Sequence, residues 1–98
     1  MDVWIEFIFR NKLYKGEMFI DDSENPCLVF IILNDDELKN EFGEEIILKT
    51  DFENLLPKRD DYPALLEMRK SLFAIVRNTE AFQMAKKLQL AKSNSTKR

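Results

Sequence analysis

Apolar and polar residues alternate along the first twenty positions, which is the pattern of a β-hairpin buried on one face. A turn centred on Asn11-Lys12 would continue the apolar face of the first strand into the second, and it would pair Trp4 with Phe19 on the opposite face. We therefore predict a hairpin over residues 3–20. The apolar face of its first strand consists of Val3, Ile5, Phe7 and Phe9.

The middle of the chain predicts two more strands with a short helix between them. An acidic turn segment ends at Pro26, and the unbroken apolar run over 27–33 then favours a strand in the interior of the sheet, with its side chains in the core. Asn34 is a candidate helix N-cap with Glu37 three residues later, and Gly43 suits the position after the helix end. Strand character returns over 44–50, before a linker around Pro57 to Pro63.

From residue 62 the apolar residues recur at helical spacing, but in two sets that do not share a face. The first set is Leu65, Met68, Leu72, Ile75 and Val76, and the second is Ala81, Met84, Ala85 and Leu88. On one continuous helix the two sets would lie on nearly opposite sides. A break near Asn78-Thr79 resolves the conflict and predicts helices at about 62–77 and 80–91. One long helix that turns a second face toward a partner is the alternative.

These elements define the predicted fold class. We expect an α+β protein with a mainly antiparallel four-stranded sheet in the chain order β-β-β-α-β, followed by two amphipathic C-terminal helices packed on the sheet. The length of 98 residues fits one domain, which we place at 1–92, followed by a disordered polar tail at 93–98.

Charge divides this single domain into two parts. Residues 1–61 contain sixteen acidic and seven basic residues, whereas residues 62–98 contain two acidic and eight basic ones. The sheet portion, 1–56, is therefore acidic and the helical portion, 62–91, is basic. Either the two portions neutralise each other or they face different partners.

The composition argues against most catalytic chemistry. The chain has no histidine and only two glycines, so histidine-dependent catalysis, histidine-containing zinc sites and glycine-rich phosphate loops are excluded. An enzyme or metal site built from carboxylates alone remains formally open, but each acidic cluster has an explanation in turn or helix-cap chemistry. We expect no enzymatic activity, no cofactor, no metal site and no small-molecule substrate.

Other features of the sequence predict a cytoplasmic protein. Cys27 is the only cysteine and lies in an apolar run, as expected of a buried thiol in a reducing compartment. That run is seven residues long, far below the about 20 needed to cross a bilayer. Acidic residues stand where a signal peptide would be apolar. We expect no membrane partner.

The surplus of apolar residues is the strongest indication of function. One helix on a small sheet need not cover both Trp4 with Phe19 on the far sheet face and the second apolar set of the helical portion. Part of this apolar surface is therefore available to a partner. We predict protein–protein contact, as a regulator, adaptor or inhibitor, or self-association through the last helix. The predicted contact residues are Trp4, Phe19, Phe82, Met84 and Leu88, with Lys86 and Lys87 as a charged rim.

Three alternatives remain open from the sequence. The basic C-terminal helices could bind nucleic acid, although a pI of about 5.0 makes this an unlikely partner. The acidic portion could mimic a polyanion and block a nucleic-acid-binding protein. Finally, the last helix could fold over Trp4 and Phe19 in an α/β/α arrangement, which would leave no exposed apolar patch.

Overall fold

Four strands and three helices make up the described part of the chain. A computed structural model describes residues 3–23, 26–56 and 62–96, with side chains described as far as residue 91. The strands form one antiparallel sheet in the order β1-β2-β3-β4, which confirms the predicted α+β class and the chain order. The elements are β1 (Val3–Phe9), β2 (Lys12–Asp21), β3 (Cys27–Leu33), α1 (Asp36–Phe42), β4 (Glu45–Thr50), α2 (Pro63–Val76) and α3 (Glu80–Thr96).

The hairpin of β1 and β2 turns one position earlier than predicted. Arg10 and Asn11 form the turn with φ values of 52° and 62°, as in the two-residue turn that matches the right-handed twist of paired strands. Trp4 consequently pairs with Glu17, and the predicted pairing with Phe19 is wrong. The register moves by two residues, and because side chains alternate with a period of two, each one keeps its predicted face.

The core lies on one face of the sheet. Every fully buried strand residue points to this face, which α2 and α3 cover. Gly16 belongs to the same face, where a Cβ atom would lie 3.1 Å from the carbonyl oxygen of Ile32, so the close approach of β2 and β3 favours glycine. The buried strand residues are Ile5, Phe7, Phe9, Tyr14, Gly16, Met18, Cys27, Val29, Ile31, Leu33, Ile46, Leu48 and Thr50.

The N-cap of the short helix α1 lies one residue later than predicted. The N-cap is Asp35, not Asn34, and its Oδ2 accepts a hydrogen bond of 3.1 Å from the backbone N–H of Leu38. Gly43 ends the helix as predicted, with a φ of 91° that disfavours other residues. Glu41 of α1 accepts two hydrogen bonds, of 2.7 and 2.8 Å, from the Arg10 guanidinium. These bonds connect α1 to the hairpin turn.

The two C-terminal helices separate at the predicted position. The Thr79 hydroxyl donates to the carbonyl of Val76 at 2.7 Å and accepts from the N–H of Phe82 at 3.2 Å, so it closes α2 and caps α3. The backbone of α3 is helical through Thr96, beyond the predicted end at 91. This helix therefore includes most of the predicted tail, and 97–98 lie outside the described residues.

Phe82 fixes α3 to the core face. Its ring is 1% exposed and lies 5.4 Å from the Phe52 ring and 6.1 Å from the Phe73 ring, between centroids. Both long helices therefore lie on the same side of the sheet, and the α/β/α alternative is not formed among the described elements. The result is a two-layer structure.

This packing predicts unequal effects of two substitutions on α3. Phe82→Ala is expected to lower the free energy of unfolding by about 3–5 kcal/mol, because it leaves a cavity between α2, α3 and the 51–56 segment. Met84→Ala should cost less than about 1 kcal/mol, because Met84 is 55% exposed. Urea unfolding followed by circular dichroism measures both. Equal losses would show that α3 is not anchored by Phe82.

Candidate functional site

The sheet face opposite the helices, here called the outer face, carries large apolar side chains. Three of them are mostly solvent-exposed: Trp4 at 61%, Ile8 at 65% and Leu13 at 59%. The helices lie on the other face, and no described element covers these three residues. The outer face comprises Trp4, Glu6 and Ile8 of β1, Leu13, Lys15, Glu17 and Phe19 of β2, Leu28, Phe30 and Ile32 of β3, and Glu45, Ile47 and Lys49 of β4.

Strand register joins six of these side chains into one continuous patch. Phe19, Phe30 and Ile47 form a cross-strand row over β2, β3 and β4. Trp4 is opposite Glu17 and hence diagonal to Phe19, within reach of a large ring. The patch, called the apolar patch below, consists of Trp4, Phe19, Leu28, Phe30, Ile32 and Ile47, and all but Trp4 are partly buried by their neighbours.

Charged residues of both signs surround the apolar patch. Glu6 pairs with Lys15 between the patch and the exposed couple Ile8 and Leu13, whereas a turn at Asn11-Lys12 would have placed Glu6 opposite Glu17. Opposite charges in register stabilise the hairpin where like charges would have weakened it. A recess of about 370 Å³ beside Trp4 is lined by Trp4, Ile5, Glu6, Lys15 and Asn34.

A second apolar surface lies on the helix side, between α3 and the end of the hairpin. It is a groove of about 560 Å³, called the α3 groove below. Met84 and Leu88 form its α3 wall and are each 55% exposed, whereas the two polar lining residues, Asp22 and Glu80, are both acidic. The other lining residues are Val3, Met18, Ile20, Ala81 and Ala85.

The predicted contact residues fall on these two surfaces rather than on one. Trp4 and Phe19 belong to the apolar patch, and Met84 and Leu88 belong to the α3 groove on the other side of the sheet. Phe82 lies in the core, so it is not available for contact in the folded protein.

The two lysines of the predicted rim differ in their surroundings. The Nζ of Lys86 lies 2.9 Å from a carboxylate oxygen of Glu53, so this lysine forms a salt bridge within the chain. Lys87 is exposed on α3 near Met84.

Four residues of the apolar patch were missed from the sequence. The prediction that all side chains of β3 lie in the core is wrong for Leu28, Phe30 and Ile32, because a strand that is apolar at every position does not show which face is covered. No prediction was made for Ile47 of β4. A signal was present in the neighbouring strands, where the positions on the same face include Lys15, Glu17, Glu45 and Lys49. Charges at those positions indicate that this face of β3 meets solvent.

Several basic side chains of the helical portion have partners within the fold. Arg69 is 1% exposed, and its Nε donates a hydrogen bond of 3.2 Å to the carbonyl of Ile47 at the edge of β4. The Arg77 guanidinium lies 5.9 Å from the centre of the Phe73 ring. With Lys86 in its salt bridge, three of the basic side chains have partners within the fold.

The acidic side chains with shifted pKa values are explained by local structure. Hydrogen bonds from the side chain and backbone of Ser23 lower the pKa of Asp21. Backbone N–H groups of Asn54 and Glu53 lower the pKa of Asp51 in the same way. A hydrogen bond from Arg10 lowers the pKa of Glu41. Asp21 and Asp51 therefore stabilise turns, and Glu41 forms an ion pair with Arg10.

Neither a cluster of metal-ligating side chains nor a helix suited to cross a membrane occurs among the described residues. Over 3–23, 26–56 and 62–91, no group of three or more carboxylate or thiol side chains is placed to hold a metal ion. No helix in the described part of the chain is both long and apolar enough to cross a bilayer.

Comparison with known proteins found no match to this chain. No protein-family model matches the chain, no curated protein matches it in sequence, and no solved structure matches its fold.

Burial of the Cys27 thiol predicts a pH dependence of stability. The side chain is fully buried, and burial raises its pKa from an ordinary value of 9.0 to about 11. Between pH 9 and 11 the thiol of the unfolded chain loses its proton, whereas the buried thiol of the folded chain keeps it. The free energy of unfolding is therefore unaffected by this thiol below pH 9 and falls as the pH rises toward 11.

The expected loss at pH 11 is of the order of 2 kcal/mol relative to Cys27→Ala, which lacks the titrating group. Urea unfolding of both proteins from pH 8 to 11 measures the difference and cancels the titration of the lysines. A constant difference across this range would contradict the assigned burial.

Proposed function

We propose that this protein acts without catalysis, by binding another protein through the apolar patch of the outer face. The observation that carries the proposal is a sheet that the described helices cover on one face only, with Trp4 61% exposed at the margin of a continuous row of apolar side chains. Scattered apolar residues are normal on a protein surface, whereas a connected patch with a polar surround is typical of an interaction site.

The composition of the apolar patch suits a binding anchor. Tryptophan is among the residues most enriched at positions that dominate binding energy, because it buries a large area and loses little conformational entropy. Trp4 is mostly exposed, while its diagonal neighbour Phe19 is partly buried and held in place by strand pairing. A partner would meet a rigid surface that needs little ordering upon binding.

The charges around the patch indicate what kind of partner fits. Glu17 and Glu45 flank Ile32 in one cross-strand row, and Lys49 lies beside Leu28 at the other end. A nucleic acid would be repelled by the two carboxylates next to the apolar surface. A folded protein with an apolar centre and a rim of both charge signs matches this arrangement. We therefore propose a protein partner, as a regulator, adaptor or inhibitor would have.

The proposal predicts that two substitutions in the patch abolish partner capture. Trp4→Thr with Phe19→Thr removes the aromatic anchors, and threonine keeps the strand preference of both positions. Loss of such anchors typically costs 2 kcal/mol or more each, so we expect the affinity to fall at least tenfold. Wild-type and variant proteins, immobilised by a tag, are compared for capture from an extract of the source cells, and the bound protein is then titrated in purified form.

The matched control lies on the same face of the same hairpin. Ile8→Thr with Leu13→Thr removes two large apolar side chains, but the Glu6 and Lys15 pair separates them from the apolar patch. This variant should capture the same protein with affinity close to that of the wild type. The proposal fails if the wild type retains no discrete protein, or if the patch variant, folded by circular dichroism, retains it as well as the control does.

A further inference from the structure

The helical layer leaves part of the core face uncovered beside α3. Val3 and Ile20 point toward the helices but are only partly buried, and Met84 and Leu88 on the adjacent wall are more than half exposed. The α3 groove therefore lies where one more helix would complete the layer. Such a helix must present apolar side chains to the groove and a positive charge to Asp22 and Glu80.

The exposed side of α3 has these properties. Glu80 and Lys87 are seven positions apart, so they lie within about 20° of each other around the helix axis and about two turns apart along it. Met84 lies between them, and Leu88 follows Lys87. Along the line of Glu80, Met84 and Lys87 the charge changes from acidic at the start of α3 to basic two turns later. Glu80 and Lys87 are both exposed.

We propose that two copies of this chain associate through antiparallel α3 helices, each helix filling the α3 groove of the other copy. A two-fold axis near Met84 brings Glu80 of one copy level with Lys87 of the second copy, and the reverse pair forms by symmetry. Met84 lies near the axis and enters the apolar part of the opposite groove. Charge complementarity selects the occupant, since the acidic end of each groove meets the basic part of the other helix.

This dimer is independent of the function proposed above. The α3 groove and the outer face lie on opposite sides of the sheet, so association through α3 leaves both copies of the apolar patch open. A dimer would present two partner sites, and a failure of either proposal leaves the other standing.

Charge reversal with complementation tests the dimer. Glu80→Lys alone and Lys87→Glu alone each place like charges at both symmetric contacts, so each variant should dissociate at least tenfold more readily than the wild type. Mixed in equal amounts, the two variants restore both opposite-charge contacts and should form a heterodimer. Sedimentation equilibrium over a concentration series at low salt measures all four samples, and added salt should weaken the wild-type dimer.

Three further variants keep the result interpretable. Lys70→Glu changes an exposed lysine on α2 outside the groove, and it should dimerise as the wild type does. Glu80→Gln and Lys87→Gln, which remove charge without reversing it, replace any reversal variant that fails to fold by circular dichroism; each should weaken the dimer by a smaller factor. A wild type that stays monomeric at all concentrations overturns the proposal. So do single reversals without effect, or a mixture that does not reassociate.

Discussion

Burial of a single face of a four-stranded sheet is the constraint on which the rest of this structure depends. Side chains alternate along each strand, so covering one face with α2 and α3 decides the environment of every strand residue at once. The covered face is apolar from Ile5 in the first strand to Leu48 in the last, and Phe82 and Phe73 close it from the helix side. What remains on the other face is a mixture of charges and large apolar side chains.

The break at Asn78-Thr79 follows from the same constraint. Without it, the second apolar set of the helical portion would point away from the sheet, and Phe82 could not reach Phe52 and Phe73. The hydroxyl of Thr79 satisfies backbone groups of both helices at the break, so the change of direction costs few hydrogen bonds. A local capping interaction thus allows two helices to share one side of the sheet, which is why the opposite side stays open.

Periodicity was sufficient to predict the elements, their order and the break between the helices, because each depends on side-chain spacing within a short segment. The register of the hairpin was not predictable in the same way. Turns at Asn11-Lys12 and at Arg10-Asn11 leave the same residues on the same faces, so the apolar pattern does not distinguish them. The observed turn gains the Phe7 and Tyr14 ring contact, at 5.7 Å between centroids, which lies across two strands.

Prediction of the candidate surfaces from sequence is limited in the same way, because side-chain spacing within a segment does not show how separate elements pack. Trp4 and Met84 could be selected from the sequence because each departs from the pattern of its own element, but their separation by the sheet depends on which way α3 turns. Phe30 was not selected, because an apolar strand taken by itself is compatible with burial on one face or on two, and only the charges of the neighbouring strands distinguish the two cases. The buried position of Arg69 was not predictable for a related reason: its partner is a backbone carbonyl at the edge of β4, which the sequence alone does not place beside α2.

The division of charge acquires a physical meaning in this arrangement. Acidic and basic portions do not simply neutralise each other, although Lys86 with Glu53 shows such pairing locally. On the outer face the carboxylates of Glu17 and Glu45 limit the apolar patch to a strip, which favours a partner of matching shape over nonspecific aggregation. On the helix side the sign changes along α3 itself, so the same helix offers both halves of a complementary contact. These charges are the reason that we propose a different protein as the partner of the first surface and a second copy of this chain as the partner of the other.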